Sequence, residues 1–282
     1  MSDDQYESVS GNTRRNRCLY IVLGVVLICV LVVGVSLGLA LSPKGVKSEI
    51  LQRCETYKKL HPEVSSGNDC QKIWTAFEQA YVGRNSCDVP VENYDTLIRA
   101  VKQEIQCNKT LFWSKSKDLA HAFTEKRKCK MTLEDTLLGY MLDDLTWCSK
   151  PDSKETFSSN CPGWTDCEKN PVRSFWVRAS ANLAASTCGH ASVLLSASVN
   201  PPYNQNSIFS SVEVQNLNHS ILDSMAAYLV TDVTDKTNCN DASLVTLKND
   251  LPPNVEFSCK EMPLSDFQMC LSDLDKPCLG CH

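Results

Sequence analysis

The sequence has no Gly-x-Gly-x-x-Gly turn, no Gly-x-x-x-x-Gly-Lys-Ser/Thr loop, no Gly-x-Ser-x-Gly elbow and no His-Glu-x-x-His pair. The first absence excludes a dinucleotide held as a Rossmann redox cofactor, and the others exclude P-loop, serine-hydrolase and zincin chemistry. The five histidines (61, 121, 190, 219, 282) lack ligand spacing, so each reads as a surface or satisfied core residue and no metal is expected. An excess of basic charge is also missing: 28 Lys and Arg face 33 Asp and Glu, a net charge of −5. That balance argues against a nucleic-acid partner, because phosphate contacts need basic patches. Any anionic ligand has to be held by a local cluster of cations. No internal repeat or low-complexity tract is found.

What the chain does have is cysteine, 16 in 282 residues, far more than a reducing compartment favours. Cys18 to Leu41 is an uncharged run of 24 residues rich in Val, Leu and Ile. As a helix it is about 36 Å long, enough to cross a bilayer with some tilt. A signal-peptide core is usually only about 7–15 residues, although Gly38 and Ala40 leave cleavage after Ala40 as an alternative. Basic residues flank both ends, Arg14, Arg15 and Arg17 before and Lys44 and Lys47 after, so charge density alone favours a cytosolic N-terminus only locally. Fourteen cysteines and two sequons, at Asn108 and Asn218, lie beyond the run, and both features belong to the oxidising side. The expected organisation is a cytosolic tail (1–17), a transmembrane helix (18–41) and an ectodomain from about residue 45, a type II plasma-membrane protein. The tail holds three residues of each charge sign, so the ectodomain keeps the net −5. Gly34 and Gly38 form a GxxxG inside the span, a spacing compatible with a homodimer.

Within the ectodomain, Ile73, Trp74, Phe77, Ala80 and Tyr81 recur at helix spacing, as do Tyr94, Leu97, Ile98, Val101 and Ile105. Thr132 with Asp135 reads as a capping box before the stripe Leu133, Leu137, Met141. Asn170-Pro171 starts another helix, with the proline at its first position. Thr110–Ser114 reads as a strand running into a helix over 117–126. Strands are also expected at 192–199, 209–217 and 255–259, with a helix over 221–230. Strands alternating with helices point to a small parallel sheet. The terminal Cys278-Leu279-Gly280-Cys281-His282 has the letters of a haem-attachment motif but no room for a haem pocket, so it reads as disulfide material.

Several separated stretches together carry a resemblance. They are Leu111-Phe112-Trp113-Ser114-Lys115-Ser116-Lys117-Asp118-Leu119-Ala120-His121, then Thr132 to Tyr140 with Asp143-Asp144-Leu145-Thr146-Trp147-Cys148. Asn170-Pro171-Val172 with Phe175-Trp176, and Ser211-Val212-Glu213-Val214-Gln215-Asn216-Leu217, complete the set. In this order they resemble the ADP-ribosyl cyclase / cyclic ADP-ribose hydrolase family, over about residues 54–278, and most of all its type II membrane-anchored leukocyte-surface member. The resemblance implies an ectoenzyme that releases nicotinamide from NAD, forms ADP-ribose and cyclic ADP-ribose, and hydrolyses the latter. NAD is then substrate, with NADP as a further substrate for base exchange, and no cofactor is required.

The resemblance also implies roles. Glu213 matches the catalytic glutamate, whose carboxylate would stabilise or attack the sugar cation left at C1′. By residue type alone, a single glutamate on an alternating segment is usually just solvated. Trp113 and Trp176 match two active-site indoles suited to stacking on a cationic ring, although a tryptophan at helix spacing is by default core. Glu134 matches a residue that recognises the leaving base, and its position also suits a first-turn carboxylate in the helix-dipole field. Asp143 matches a second acid near the same ring. Ser114, Lys115 and Ser180 fall where the family holds phosphate and ribose oxygens, and Phe209 is a further substrate-binding residue. Lys115 replaces a common arginine, keeping charge without the bidentate fork. Ile208 replaces a common threonine and loses a hydroxyl.

The resemblance implies the disulfides Cys54–Cys70, Cys87–Cys167, Cys107–Cys188, Cys148–Cys161, Cys239–Cys259 and Cys270–Cys278; Cys129 and Cys281 remain and are expected to pair as an extra bridge. The implied fold is α+β, disulfide-stapled. It has a mainly helical subdomain (45–106 and 132–187) and a subdomain with a sheet of about four parallel strands (107–131 and 188–282), the site lying between them. The competing readings are a surface receptor or adhesion ectodomain that kept the fold and lost catalysis, and a disulfide-rich binding module. The second leaves the ordered motifs unexplained.

Overall fold

A computed structural model describes residues 45–273, 275 and 277–279. The apolar run at 18–41, with Gly34 and Gly38, lies outside them. Among the described residues no helix is long and apolar enough to cross a membrane. The described residues from 46 onward form one compact unit.

The described residues open with helices α1 (Val46–Leu60), α2 (Pro62–Ser65), α3 (Cys70–Tyr81) and α4 (Asp95–Ala100). Asp69 caps α3, its Oδ1 accepting from the amides of Gln71 and Lys72 at 2.9 and 3.1 Å, which satisfies two otherwise orphaned donors. The apolar stripe through Val101 and Ile105 is not helical beyond Ala100. Asn68 explains this: its amide accepts from Lys102 N (2.7 Å) and donates to Lys102 O (2.8 Å), holding that backbone as a strand partner would. Next come β1 (Leu111–Ser114), α5 (Lys117–Arg127), α6 (Leu137–Leu142) and α7 (Pro171–Ser186). The capping box at Thr132 is present, with Asp135 Oδ2 accepting from Thr132 N at 2.8 Å. It opens only a 3-10 turn, Leu133–Asp135, and α6 starts afresh behind a second cap at Thr136.

The sheet completes with β2 (Gly189–Ser196), β3 (Leu222–Thr231) and β4 (Glu256–Pro263), flanked by α8 (Ala242–Asp250) and α9 (Leu264–Ser272). All pairings are parallel, in the order β1-β2-β3-β4. Phe112, Val193, Leu195 and Ala227 face one core, while Leu111, Leu194, Val230 and Met262 face a second, smaller one. Burial on both faces explains why these strands read as short apolar runs.

Two expectations reverse. The run expected as a helix over 221–230 is instead strand β3 (Leu222–Thr231), because pairing on both edges with β2 and β4 settles a run whose periodicity is ambiguous. Residues 209–217 form a π-helical turn (Phe209–Glu213) and a 3-10 turn (Val214–Asn216) rather than a strand. The buried positions 209, 210, 213, 214 and 217 have helical spacing. Ser207 starts the turn by accepting from Ser210 N at 3.2 Å.

Five of the expected disulfides are present: Cys54–Cys70, Cys87–Cys167, Cys107–Cys188, Cys148–Cys161 and Cys239–Cys259. The sixth corrects two expected pairings: Cys278 joins Cys129, so neither Cys270–Cys278 nor Cys129–Cys281 forms. Helix α5 packs on α9 through Phe123 and Phe267, centroids 6.0 Å apart, which brings Cys129 beside the C-terminal segment. Cys270 is also disulfide-bonded, to a partner outside the described residues, and Cys281 lies outside them too. The sequon residues Asn108 and Asn218 are exposed.

Candidate active site

Strand β1 ends at Trp113 and Ser114, at the carboxyl edge of the sheet where open α/β folds place their ligands. The segment after β2 returns to the same edge as the Phe209–Glu213 turn, and α7 closes the side. Together they enclose a cavity of about 620 Å³. Every residue assigned from the sequence lines it: Glu213, Trp113, Trp176, Glu134, Asp143, Ser114, Lys115, Ser180 and Phe209, and with them Ile208.

Glu213 is 7% exposed. Burial pushes its carboxyl up to about 8, opposed by a hydrogen bond from Ser180 and assisted by the charge of Glu134. An unliganded pocket therefore holds this group mainly protonated at neutral pH, and a cation arriving beside it would favour the carboxylate. The helical turn, not a strand face, aims the side chain inward: Phe209, Ser210 and Glu213 point inward while Ser211 is exposed. Phe209 is fixed edge-on against Tyr203, centroids 5.9 Å apart. Tyr203 in turn accepts from Ser210 Oγ (2.8 Å) and donates to Asp250 (2.9 Å) on α8. The turn is thus tied to the sheet's flanking helix.

Glu134 behaves differently. Burial raises its pKa, but the His121 imidazole in ion-pair range, together with hydrogen bonds from its own backbone, Trp113 and Thr132, outweighs burial and holds the carboxyl below its ordinary value. Trp113 Nε1 donates to Glu134 Oε2 at 3.2 Å, which locks the indole plane. Two carboxyl groups in one pocket are pushed in opposite directions, a pattern typical of sites that divide labour between acids. Trp176 packs edge-on against Phe175 (5.1 Å), and Lys117 Nζ donates to Asp143 and Asp144 at 2.9 Å each, one cation shared between two acids. Lys115 occupies the left-handed region (φ 57°), with an exposed side chain on the turn leaving β1.

Four contributors escaped the sequence reading. His121 Nε2 is buried 3.5 Å from Glu134 Oε2, in ion-pair range but too long for a good hydrogen bond. Pairing with Glu134 lifts its pKa, so it is not an idle surface residue. Its spacing of four from Lys117 was the available signal, since one helix face then carries both cations to the rim. Lys117, Arg173 and Trp164 also line the cavity or its mouth, and Trp164 had no motif to mark it. Among the described residues no group of His, Cys, Asp and Glu is placed to hold a metal ion.

Comparison with known proteins fits this geometry. The mouse protein named ADP-ribosyl cyclase/cyclic ADP-ribose hydrolase 1 is 38% identical over 281 residues, 92% of each chain. The rat protein of that name is 40% identical over 217 residues, 75% of this chain and 71% of its own. Porcine CD38, solved with a covalent intermediate, ribo-F-ribose-5′-phosphate, superposes with a TM-score of 0.74 at 37% identity, covering 78% of this chain and 98% of that one. Aplysia cyclase, solved with the substrate NGD and the product cGDPR, gives 0.72 at 26% identity, covering 86% and 98%. The sequence model of the ADP-ribosyl cyclase family matches residues 43–279, and with the site built from the residues that carried the resemblance, the chain belongs to that family.

Proposed function

We propose that this protein cleaves the nicotinamide–ribose bond of NAD, forms ADP-ribose and cyclic ADP-ribose, and hydrolyses cyclic ADP-ribose, with Glu213 as the catalytic carboxylate. The observation that carries the reading is a buried carboxyl group in a cavity lined by two indoles, Trp113 and Trp176. The positive nicotinamide ring stacks on the indoles and lowers the Glu213 pKa, so that its proton passes to solvent water. The C1′–N bond then breaks, its electron pair leaves with neutral nicotinamide, and Glu213 shields or bonds the sugar cation. Water attack gives ADP-ribose and a proton. Attack by the substrate's own adenine nitrogen gives cyclic ADP-ribose. Glu134 and Asp143 receive the leaving base, Lys115 and Ser114 the pyrophosphate, and Ser180 orients Glu213. The covalent intermediate of the porcine relative supports the nucleophilic role.

The same proposal places the catalytic unit outside the cell, behind the membrane span at 18–41, with Asn108 and Asn218 glycosylated. It also divides the unit into a helical part (45–106, 132–187) and a sheet part (107–131, 188–282). Six disulfides among the described residues support an oxidising compartment. The test is the full chain from a secretory host, incubated with NAD and assayed for products. Release of nicotinamide with both ADP-ribose products is expected. No release would leave a receptor ectodomain on an enzyme's fold.

A further inference from the structure

Three cations line the cavity: Lys117, Lys115 and Arg173. Lys117 is committed to Asp143 and Asp144. Lys115 is taken by the pyrophosphate in the function proposed above. Arg173 is left over. Its backbone N–H donates to Asn170 Oδ1 at 2.9 Å, but its half-buried guanidinium makes no ion pair among the described residues. The contrast lies on the same helix: Arg178, outside the cavity, is paired with Asp95. The first turn of α7 contains no acid, and the helix field there disfavours a cation. Folding therefore gives Arg173 no counter-charge among the described residues, and an anionic ligand in the cavity would supply one.

Its place along the cavity is informative. Ser180, Trp176 and Arg173 follow one face of α7. Ser180 bonds Glu213 and marks the reacting end. Arg173 is seven residues earlier, about 10 Å along the axis. Trp164 lines the same outer end and is 43% exposed. Its loop is held to the start of α7 by Asn170 Nδ2, which donates to Trp164 O at 3.3 Å. A dinucleotide reacting at Glu213 extends through its ribose–pyrophosphate linker towards this end. There an indole can stack on a purine, and a guanidinium can grip a phosphate with two parallel hydrogen bonds.

We propose that Arg173 and Trp164 form an adenosine-end subsite that selects a dinucleotide bearing an additional phosphate on its adenosine ribose, NADP over NAD. The proposal rests on reading Glu213 as the reacting end. The test compares the full-length wild type, Arg173→Gln and Arg173→Lys. In Arg173→Gln, kcat/KM for nicotinamide release from NADP should fall about tenfold, the effect of losing one charge-assisted contact, and that from NAD by less than about threefold. Arg173→Lys should recover part of the NADP rate, because charge returns without the fork. Equal losses on both substrates would overturn the proposal, since Arg173 would then contact the shared pyrophosphate. An unchanged NADP rate would overturn it as well. Tryptophan fluorescence titrated with adenosine 2′,5′-bisphosphate and adenosine 5′-monophosphate judges the subsite without turnover. Wild type should prefer the bisphosphate and Arg173→Gln should lose that preference. If wild type turned over neither dinucleotide, the catalytic reading would fail, and this titration alone would uphold or overturn the subsite.

Discussion

Replacing Glu213 with glutamine should make the unliganded protein more stable while removing its turnover. The reason is the position of the group: 7% exposed, with its carboxyl pushed from 4.5 to about 8 by burial. Below pH 4.5 both folded and unfolded chains hold the proton, so wild type and Glu213→Gln should differ little. Between 4.5 and about 8 the unfolded chain gives the proton up and the folded chain keeps it. Folding then loses about 1.4 kcal/mol per pH unit, and the difference levels off above about 8. At pH 7 the accumulated cost is about 3 kcal/mol. Glutamine resembles the protonated acid and can keep a partner in Ser180, so the variant should recover most of this. The measurement is urea unfolding at several pH values with the disulfides intact. A stability gap independent of pH, or a variant less stable than wild type, would refute the reasoning. Turnover of NAD should fall by about three orders of magnitude or more, as when a nucleophile is removed.

Other consequences can be checked separately. Ser180→Ala removes the hydrogen bond that opposes burial, so the alkaline-going rise of kcat/KM set by Glu213 should move further up in a pH–rate profile. A Cβ at Gly139 would lie 2.5 Å from the Glu134 Cα, so Gly139→Ala should destabilise the protein by about 1–3 kcal/mol and raise KM for NAD, read by unfolding and steady-state kinetics. Trp113→Phe keeps a ring but loses the bond to Glu134, and should raise KM more than it lowers kcat. Peptide mapping without reduction should recover Cys129 linked to Cys278, and Cys129→Ser with Cys278→Ser should cost about 2–5 kcal/mol in stability.

Local chemistry was legible where its causes are local. The caps at Thr132 and Asn170, the proline opening α7 and the β1–α5 junction stand where residue type alone places them. The site residues were legible for another reason: ordered motifs carried a family resemblance, and all nine assigned residues meet in one cavity. Residue type alone would have left Trp176 in the core and Glu213 in solvent. The resemblance had its limit at the C-terminus, where packing of α5 on α9 places Cys129 against Cys278.

The sequence by itself determined composition, caps and the short list of groups able to do chemistry, because these depend on residues and their near neighbours. Tertiary structure decided whether 209–217 and 221–230 became helix or strand, since a segment buried on several sides takes its form from what packs against it. It also decided the opposite charge tendencies of Glu134 and Glu213. A carboxyl group's pKa follows its burial and its partners, and His121, Trp113 and Ser180 reach these two acids only when the chain is folded.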